Sequence, residues 1–443
     1  MSKTEPRFRR EGRIAITGMS INTPIGDTLD VFKTNLLAGR SAVSNWKTLD
    51  TSRIYSKVGA DLSQYDVARK LASFEGQLEP ETFRRLRKLV TKSPWSTKLS
   101  MLLAADAWIH AGLRAAAYKP ERVAAIVAGH NIGFNHQYEN RRIFEEEPDH
   151  MDALLALTGL DTDHAGCVSE ALNIRGPIFT IGAACASGNT ALRCAIDEVR
   201  HHDIDAALVV GAVLDFSPVE LHAMALMGAI TFQGFNEEPM RASRPFDTRR
   251  EGFVPAHGGA VLVVEKWESA VKRGAEIFAE VLAVDACSDA NHLPNPSEDG
   301  QSYLMSKVLR DAGLRPSDID YINAHATSTP LGDLTEIRSI KRVFGEHAYK
   351  LKINATKSML GHTCWAAPVV ETVAAVLQMN AGLLHPSINV DELDPEIDLD
   401  VLANHGCDTR VRYCMKNSFG FGGINAVSIL RTPEPSERKG RRA

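Results

Sequence analysis

The chain has 443 residues, 44% of them hydrophobic and 24% charged, with a formal net charge of -5. That length can bury a large core, and it suggests two or three domains or two halves sharing one interior. The slight acidity offers no electrostatic footing for nucleic acid or an anionic membrane surface.

Seven cysteines without close spacing form neither a disulfide framework nor a zinc pattern. Reduced thiols, a cytoplasmic location and no metal are therefore expected. Residues 1–12 belong to a polar, Arg-rich arm that lacks the apolar run of a secretory signal, and they read as disordered. Residues 13–18 read as an opening strand. The stretch 29–94 is polar with weak periodicity and reads as a long surface excursion, and 96–115 carries a helical pattern. Short buried strands are expected at 123–129, 177–181 and 206–211. The longest apolar run, 206–214, is too short to span a bilayer. Between these strands Ala191, Leu192, Ala195, Ile196 and Val199 recur at helical spacing. Residues 258–265 form a strand entered through glycines.

A second cycle starts near Ala279, with strands at 320–325 and 351–356 and a helix over 366–379. A second glycine-entered strand follows at 424–430. This alternation argues for a layered α/β fold, and the paired glycine-entered strands hint at an internal duplication. The expected organisation is one half at 13–278, a second at 279–432 and a disordered tail at 433–443. No abrupt linker separates the halves, so they are expected to pack as one body.

Cys185 is the most informative residue. It sits in Gly182-Ala183-Ala184-Cys185-Ala186-Ser187-Gly188, where a strand pattern gives way to a helix. A thiol at such a turn faces the positive end of the helix dipole, which favours the thiolate. The local sequence alone fits either a nucleophile on a sharp elbow or a buried structural cysteine. Three further segments carry chemistry. His325 follows a strand and precedes Ala326-Thr327-Ser328-Thr329, with Asp333 beyond. Lys357 lies five residues before His362, with Glu371 further on. A lysine near a histidine disfavours the imidazolium and leaves a neutral ring that can donate a hydrogen bond. Asn417-Ser418-Phe419-Gly420-Phe421-Gly422-Gly423 precedes a strand and not a helix. A turn offering N–H groups to a developing oxyanion fits it better than a phosphate loop does.

In this order the segments resemble the β-ketoacyl-carrier-protein synthases of fatty-acid and polyketide synthesis. The resemblance covers nearly the whole chain and includes Ser243-Arg244-Pro245-Phe246-Asp247, Glu251-Gly252-Phe253 and Arg273-Gly274-Ala275. It implies a thiolase-like fold, a five-layered α-β-α-β-α sandwich of two similar halves, usually a homodimer. It implies decarboxylative Claisen condensation on acyl carrier protein thioesters, without a cofactor. Carried onto this chain, Cys185 would take the acyl group, and His325 and His362 would hydrogen-bond the malonyl thioester carbonyl. Lys357 and Glu371 would support them, and Asp333 would order the loop after His325. The N–H groups of Cys185 and Phe421 would form the oxyanion hole, with Phe421 as a gate and Phe419 beside it.

The chain departs from the family pattern at three places. Ala326 stands where the family usually has glycine. Trp365-Ala366-Ala367-Pro368 replaces a Gly-Ala-Ala-Gly run, adding volume beside His362. If Trp365 points into the acyl tunnel, a long chain will not fit. Ala256-His257-Gly258-Gly259 replaces Gly-Glu-Gly-Ala, and His257 reads as a packing residue. These changes resemble a divergent polyketide-cluster branch that decarboxylates malonyl-carrier protein for β-branching. That branch usually carries serine at the position of Cys185, so the cysteine favours condensation and leaves decarboxylation as the alternative. The retained Cys185, His325, His362 and Lys357 argue against a non-catalytic chain-length-factor partner.

Overall fold

The computed structural model describes residues 12–438. Ten strands form one hydrogen-bonded sheet: β1 (Ile14–Asn22), β2 (Val123–Ala128), β3 (Ile178–Ile181), β4 (Ala206–Gly211), β5 (Gly259–Lys266), β6 (Ala279–Ser288), β7 (Tyr321–Asn323), β8 (Lys352–Asn354), β9 (Tyr413–Gly420) and β10 (Ile424–Arg431). Their spatial order is β8-β7-β9-β10-β6-β1-β5-β4-β2-β3.

This order is a duplication. β1-β5-β4-β2-β3 and β6-β10-β9-β7-β8 are the same path traced twice from the centre outward. In each half the first two pairings are antiparallel and the last two parallel. The halves join where β1 meets β6, antiparallel, through Ile14↔Val281, Ala15↔Glu280 and Ile16↔Ala279. β2 and β4 are buried at every residue, as parallel strands covered on both faces must be.

Five helices matter for the site: α1 (Trp95–His110), α2 (Ser187–His201), α3 (Glu298–Ala312), α4 (Pro330–Phe344) and α5 (Ala367–Ala381). α2 and α5 touch each other, and both reach strands of the two halves. They form the central layer of the α-β-α-β-α sandwich. α5 is buried around most of its circumference, which explains its apolar run Val369-Val370 and Val373 to Val376. Each of these helices begins at the carboxyl end of a parallel strand or a turn beyond it, so both bring their N-termini to one place.

Three expectations need correction. The stretch 29–94 is not a polar surface excursion. It contains helices Leu29–Leu37, Val67–Ser73 and Pro80–Lys92, and Phe32, Leu36, Phe74, Leu86 and Val90 are buried beneath them. Each such side chain contributes roughly 1.5–3 kcal/mol of transfer free energy. The many charges of Pro80–Lys92 occupy its outer face and mask the inner one. The strand expected at 177–181 forms, but at the sheet edge, where Ile178 is exposed. The expected disordered tail is ordered up to Arg438: a helical turn spans Pro435–Arg438, and Glu437 accepts hydrogen bonds from Arg431 and Arg13. The arm before Gly12 and the residues after Arg438 lie outside the described residues.

Candidate active site

Cys185 lies on a sharp elbow. β3 ends at Ile181, a 3-10 turn covers Ala184–Ala186, and α2 begins at Ser187. Ala184 takes a left-handed backbone conformation with φ 46°. The Ser187 hydroxyl cinches the turn by donating to the Ala184 carbonyl (2.6 Å) and accepting from the Ala183 N–H (2.8 Å). Gly420 packs its backbone against this elbow, because a Cβ there would lie 3.1 Å from the Cys185 nitrogen and 3.0 Å from the Ala183 oxygen. That approach lets the backbone N–H of Phe421, together with that of Cys185 itself, reach the Cys185 sulfur.

The thiol is 5% exposed. Burial pushes it up to about 11, against the opposing pull of Lys357 and the two N–H groups. The helix-dipole argument for a resting thiolate therefore fails here: desolvation of a charged sulfur outweighs the nearby positive groups. Burial thus favours the neutral thiol of Cys185.

His325 follows β7. Its N–H and that of Ala326 donate to the two carboxylate oxygens of Glu336 on α4, at 2.9 and 2.8 Å. The loop beyond is forced into left-handed backbone, with φ 21° at Ala326 and 69° at Ser328. Asp333 holds it there, accepting from the N–H groups of Ser328 (3.1 Å), Thr329 (3.3 Å) and Phe246 (3.0 Å). Burial raises the Asp333 carboxyl to about 6. The glycine-to-alanine departure at Ala326 is thus accommodated by a loop tied down at both ends.

Hydrogen bonding assigns both imidazole tautomers. Lys357 Nζ lies 3.4 Å from His325 Nδ1, and an ammonium can only donate, so Nδ1 accepts and the proton sits on Nε2. His362 Nδ1 accepts from the Cys364 N–H at 3.1 Å, again placing the proton on Nε2. The buried His362 Nε2 has no protein partner. The two rings stand nearly perpendicular, 5.5 Å apart. Burial first, and then Lys357, His362 and Lys416, hold His325 well below the usual imidazole range. Burial, Lys357 and Lys416 do the same to His362. Both rings are neutral N–H donors near neutral pH.

Behind them lies a buried ion cluster. Lys357 Nζ donates to the His325 carbonyl at 2.7 Å and pairs with Glu371 Oε1. The other Glu371 oxygen pairs with Lys416, whose Nζ also donates to Asn417 O and Ser418 Oγ, each at 2.7 Å. Burial lowers Lys416 to about 8. Sequence reasoning missed Lys416 and Glu336; Asn417, the first residue of the Asn-Ser-Phe-Gly-Phe-Gly-Gly segment, donates to Glu336 at 2.8 Å. The one available signal was a lysine inside an otherwise uncharged strand, directly before Asn417-Ser418-Phe419-Gly420.

A cavity of about 370 Å³ gathers Cys185, His325, His362, Phe253, Phe419 and Phe421 on its wall. Phe421 is half-buried, and its ring faces that of Phe253 at 6.3 Å. Phe419 meets His325 edge-on at 5.8 Å. Lys357 and Glu371 stand behind this wall and Asp333 beneath the His325 loop. Trp365 is not on the wall; its indole stacks on His130 at 4.3 Å. His257 is a packing residue, caged by Trp46, Trp95 and Phe216. Among the described residues no group of three or more His, Cys, Asp or Glu side chains has metal-holding geometry.

A nucleophilic sulfur under two N–H groups, facing two neutral imidazole donors, can accept an acyl group and stabilise an enolate in one chamber. Comparison with known proteins agrees with this chemistry. Residues 11–270 match the N-terminal domain of β-ketoacyl synthase and 278–391 the C-terminal domain. The chain is 34% identical to 3-oxoacyl-[acyl-carrier-protein] synthase 2 of Coxiella burnetii, over 94% of this chain and 98% of that one. It is 30% identical to the polyketide biosynthesis malonyl-ACP decarboxylase PksF of Bacillus subtilis, over 95% and 97%. Among solved structures, the ishigamide ketosynthase/chain length factor superposes with a TM-score of 0.84 at 29% identity, over 96% of this chain and 100% of that one. The AntDE:AntF structure, a type II polyketide acyl-carrier protein in complex with its ketosynthase, gives 0.83 at 28%, over 97% and 100%. With both synthase domains matched in order along this duplicated fold, the chain belongs to the β-ketoacyl synthase family of acyltransferase-type condensing enzymes.

Proposed function

We propose that the protein condenses an acyl group held on Cys185 with malonyl-carrier protein, in fatty-acid or polyketide synthesis. The observation that carries this reading is the gathering of Cys185, the two imidazole donors His325 and His362, and the Phe421 turn on the wall of one chamber. Transfer from an acyl-carrier thioester forms the Cys185 thioester and breaks the carrier's C–S bond. The Cys185 proton ends on the departing carrier thiol. The two N–H groups stabilise the tetrahedral oxyanion. Malonyl-carrier protein then loses CO2, and its C–C bonding pair becomes an enolate whose oxygen accepts from the Nε2–H of His325 and His362. The enolate carbon attacks the Cys185 thioester. The β-ketoacyl-carrier product leaves, and the released sulfur takes up one proton from solvent.

Phe421 acts as gate between the acyl and malonyl positions. Lys357 and Glu371 position His325, and Asp333 orders its loop. The carrier protein is the partner, in line with the carrier complex seen for the AntDE:AntF neighbour. The enzyme works as a cytoplasmic homodimer. Supporting the dimer, β3 ends the sheet with an unpaired edge and an exposed Ile178, a surface suited to a second copy.

A second reading rests on a specific feature: the imidazole donors act on malonyl without Cys185, so decarboxylation to acetyl-carrier protein needs only them. The relative PksF is named for that activity. Intact-mass measurement of malonyl-carrier protein separates the two. A β-ketoacyl product that requires an acyl primer, with a matching adduct on Cys185, supports condensation. Acetyl-carrier protein formed at the same rate with or without primer, and no adduct on Cys185, replaces it with decarboxylation.

Lys416 supplies a pH test of the same chamber. Its cation helps hold both imidazoles below their usual range, so Lys416→Met removes one force opposing their protonation. Both histidine values rise in the variant. The acid limb of the decarboxylation rate profile therefore moves to higher pH, while Lys416→Arg keeps it in place. A limb that does not move in Lys416→Met refutes this electrostatic role.

A further inference from the structure

We propose that Trp365 closes the space behind Cys185, so that the nucleophile accepts only short acyl groups of about two to four carbons. This rests on the reading of Cys185 as acyl acceptor. The duplicated topology shows where Trp365 stands. α5 opens with the same device as α2: a 3-10 turn at Cys364–Ala366 mirrors the one at Ala184–Ala186. Its first residue, Cys364, has φ 48°, matching 46° at Ala184. Trp365 is therefore the counterpart of Cys185, set in the turn that opens the facing helix, and a large indole stands where the other half carries a thiol.

The packing around it is closed. Trp365 is 5% exposed and shares one buried apolar cluster with Cys185, Ala184, Cys364 and Ile132. Its ring lies flat against His130, with an interplanar angle of 25°. On its edge, Cδ1 would lie only 3.4 Å from a Cβ added at Gly129. The helix that follows it, α5, has no slack toward α2, since a Cβ at Gly188 would lie 2.9 Å from Pro368 Cβ and 2.8 Å from Val369 Cγ2. The chamber that Cys185 opens onto includes none of Trp365, Cys364, Gly129 or Ile132 in its wall. The chamber onto which Cys185 opens lies on the imidazole side, and that space must hold the malonyl group and the carrier arm. An acyl tail directed behind the sulfur meets the indole.

The test compares wild type with Trp365→Gly and, as a second variant should glycine unfold the site, Trp365→Leu. Loading of Cys185 from acetyl, butyryl, hexanoyl and octanoyl N-acetylcysteamine thioesters is followed by intact mass. In parallel, Cys185 is alkylated with iodoacetamide or N-octyl iodoacetamide, which need only the sulfur and room beside it. In wild type, octanoyl loading should trail acetyl by at least about 100-fold, on the scale set by one to two misfit methylenes. In a folded Trp365 variant that ratio should shrink by at least about tenfold. Equal acetyl and octanoyl loading in wild type overturns the proposal, as does an unchanged ratio in folded variants. If no acyl chain loads but iodoacetamide labels Cys185 and its octyl analogue does so only in the variants, the closed space stands and the acyl-acceptor reading falls.

Discussion

Cys185→Ala is expected to lower β-ketoacyl product formation by at least about 10⁴-fold, while CO2 release from malonyl-carrier protein continues. Condensation needs a covalent acyl carrier in the chamber, and no other cysteine lines its wall. Decarboxylation needs the imidazole donors, which the substitution does not touch. The same residue makes a pH prediction. Burial holds its thiol near 11, so the reactive thiolate is scarce at neutral pH and its fraction grows tenfold per unit as pH rises toward that value. Alkylation of Cys185 by iodoacetamide should climb across this range without a plateau near 8. Intact mass of product and of alkylated enzyme reads both effects. A plateau well below 9 would show that the elbow supplies a resting thiolate after all, and undiminished product in Cys185→Ala would sink the acyl-acceptor role.

Much of this arrangement was legible in sequence, and the failures share a physical cause. Strands such as Val123–Ala128 and Ala206–Gly211 announce themselves because burial on both faces demands an unbroken apolar run. The elbow at Cys185 shows because only small residues allow the turn and the approach of Gly420. Helix Pro80–Lys92 stayed hidden because its charged outer face dominates the composition while two buried positions, Leu86 and Val90, anchor it. Lys416 and Glu336 were missed for a different reason. Each acts through a partner far along the chain, Lys416 through Glu371 and Glu336 through Asn417, and no local pattern encodes such a meeting. The thiolate expectation failed in the same way: a helix terminus is visible in sequence, whereas the desolvation that outweighs it belongs to the packed interior. Trp365 was legible as a departure, but its direction was not. Only the fold sets it against His130 and away from the chamber.

The second large effect falls on the histidine pair. His325→Ala and His362→Ala are each expected to slow decarboxylation by about 10²–10³-fold, the cost of losing one preorganised donor to a developing oxyanion. The double variant should lose more than either single, but less than the product of the two, where the two donors share one oxygen. The geometry makes the two losses unequal in kind. His362 presents an Nε2–H with no protein partner, so its donor is free for substrate at no cost in broken bonds. His325 is held through Nδ1 by Lys357, so its donor depends on that cation being in place. Lys357→Met should therefore weaken the His325 contribution while His362 continues to donate. His362→Gln, which can keep an N–H near the same point, should recover at least about tenfold over His362→Ala. The rate of CO2 release, read in single turnovers with Cys185 blocked by iodoacetamide, isolates the step from acyl transfer. Single variants that stay within tenfold of wild type would mean that the enolate is stabilised elsewhere, and the backbone of the Phe421 turn would be the next group to test.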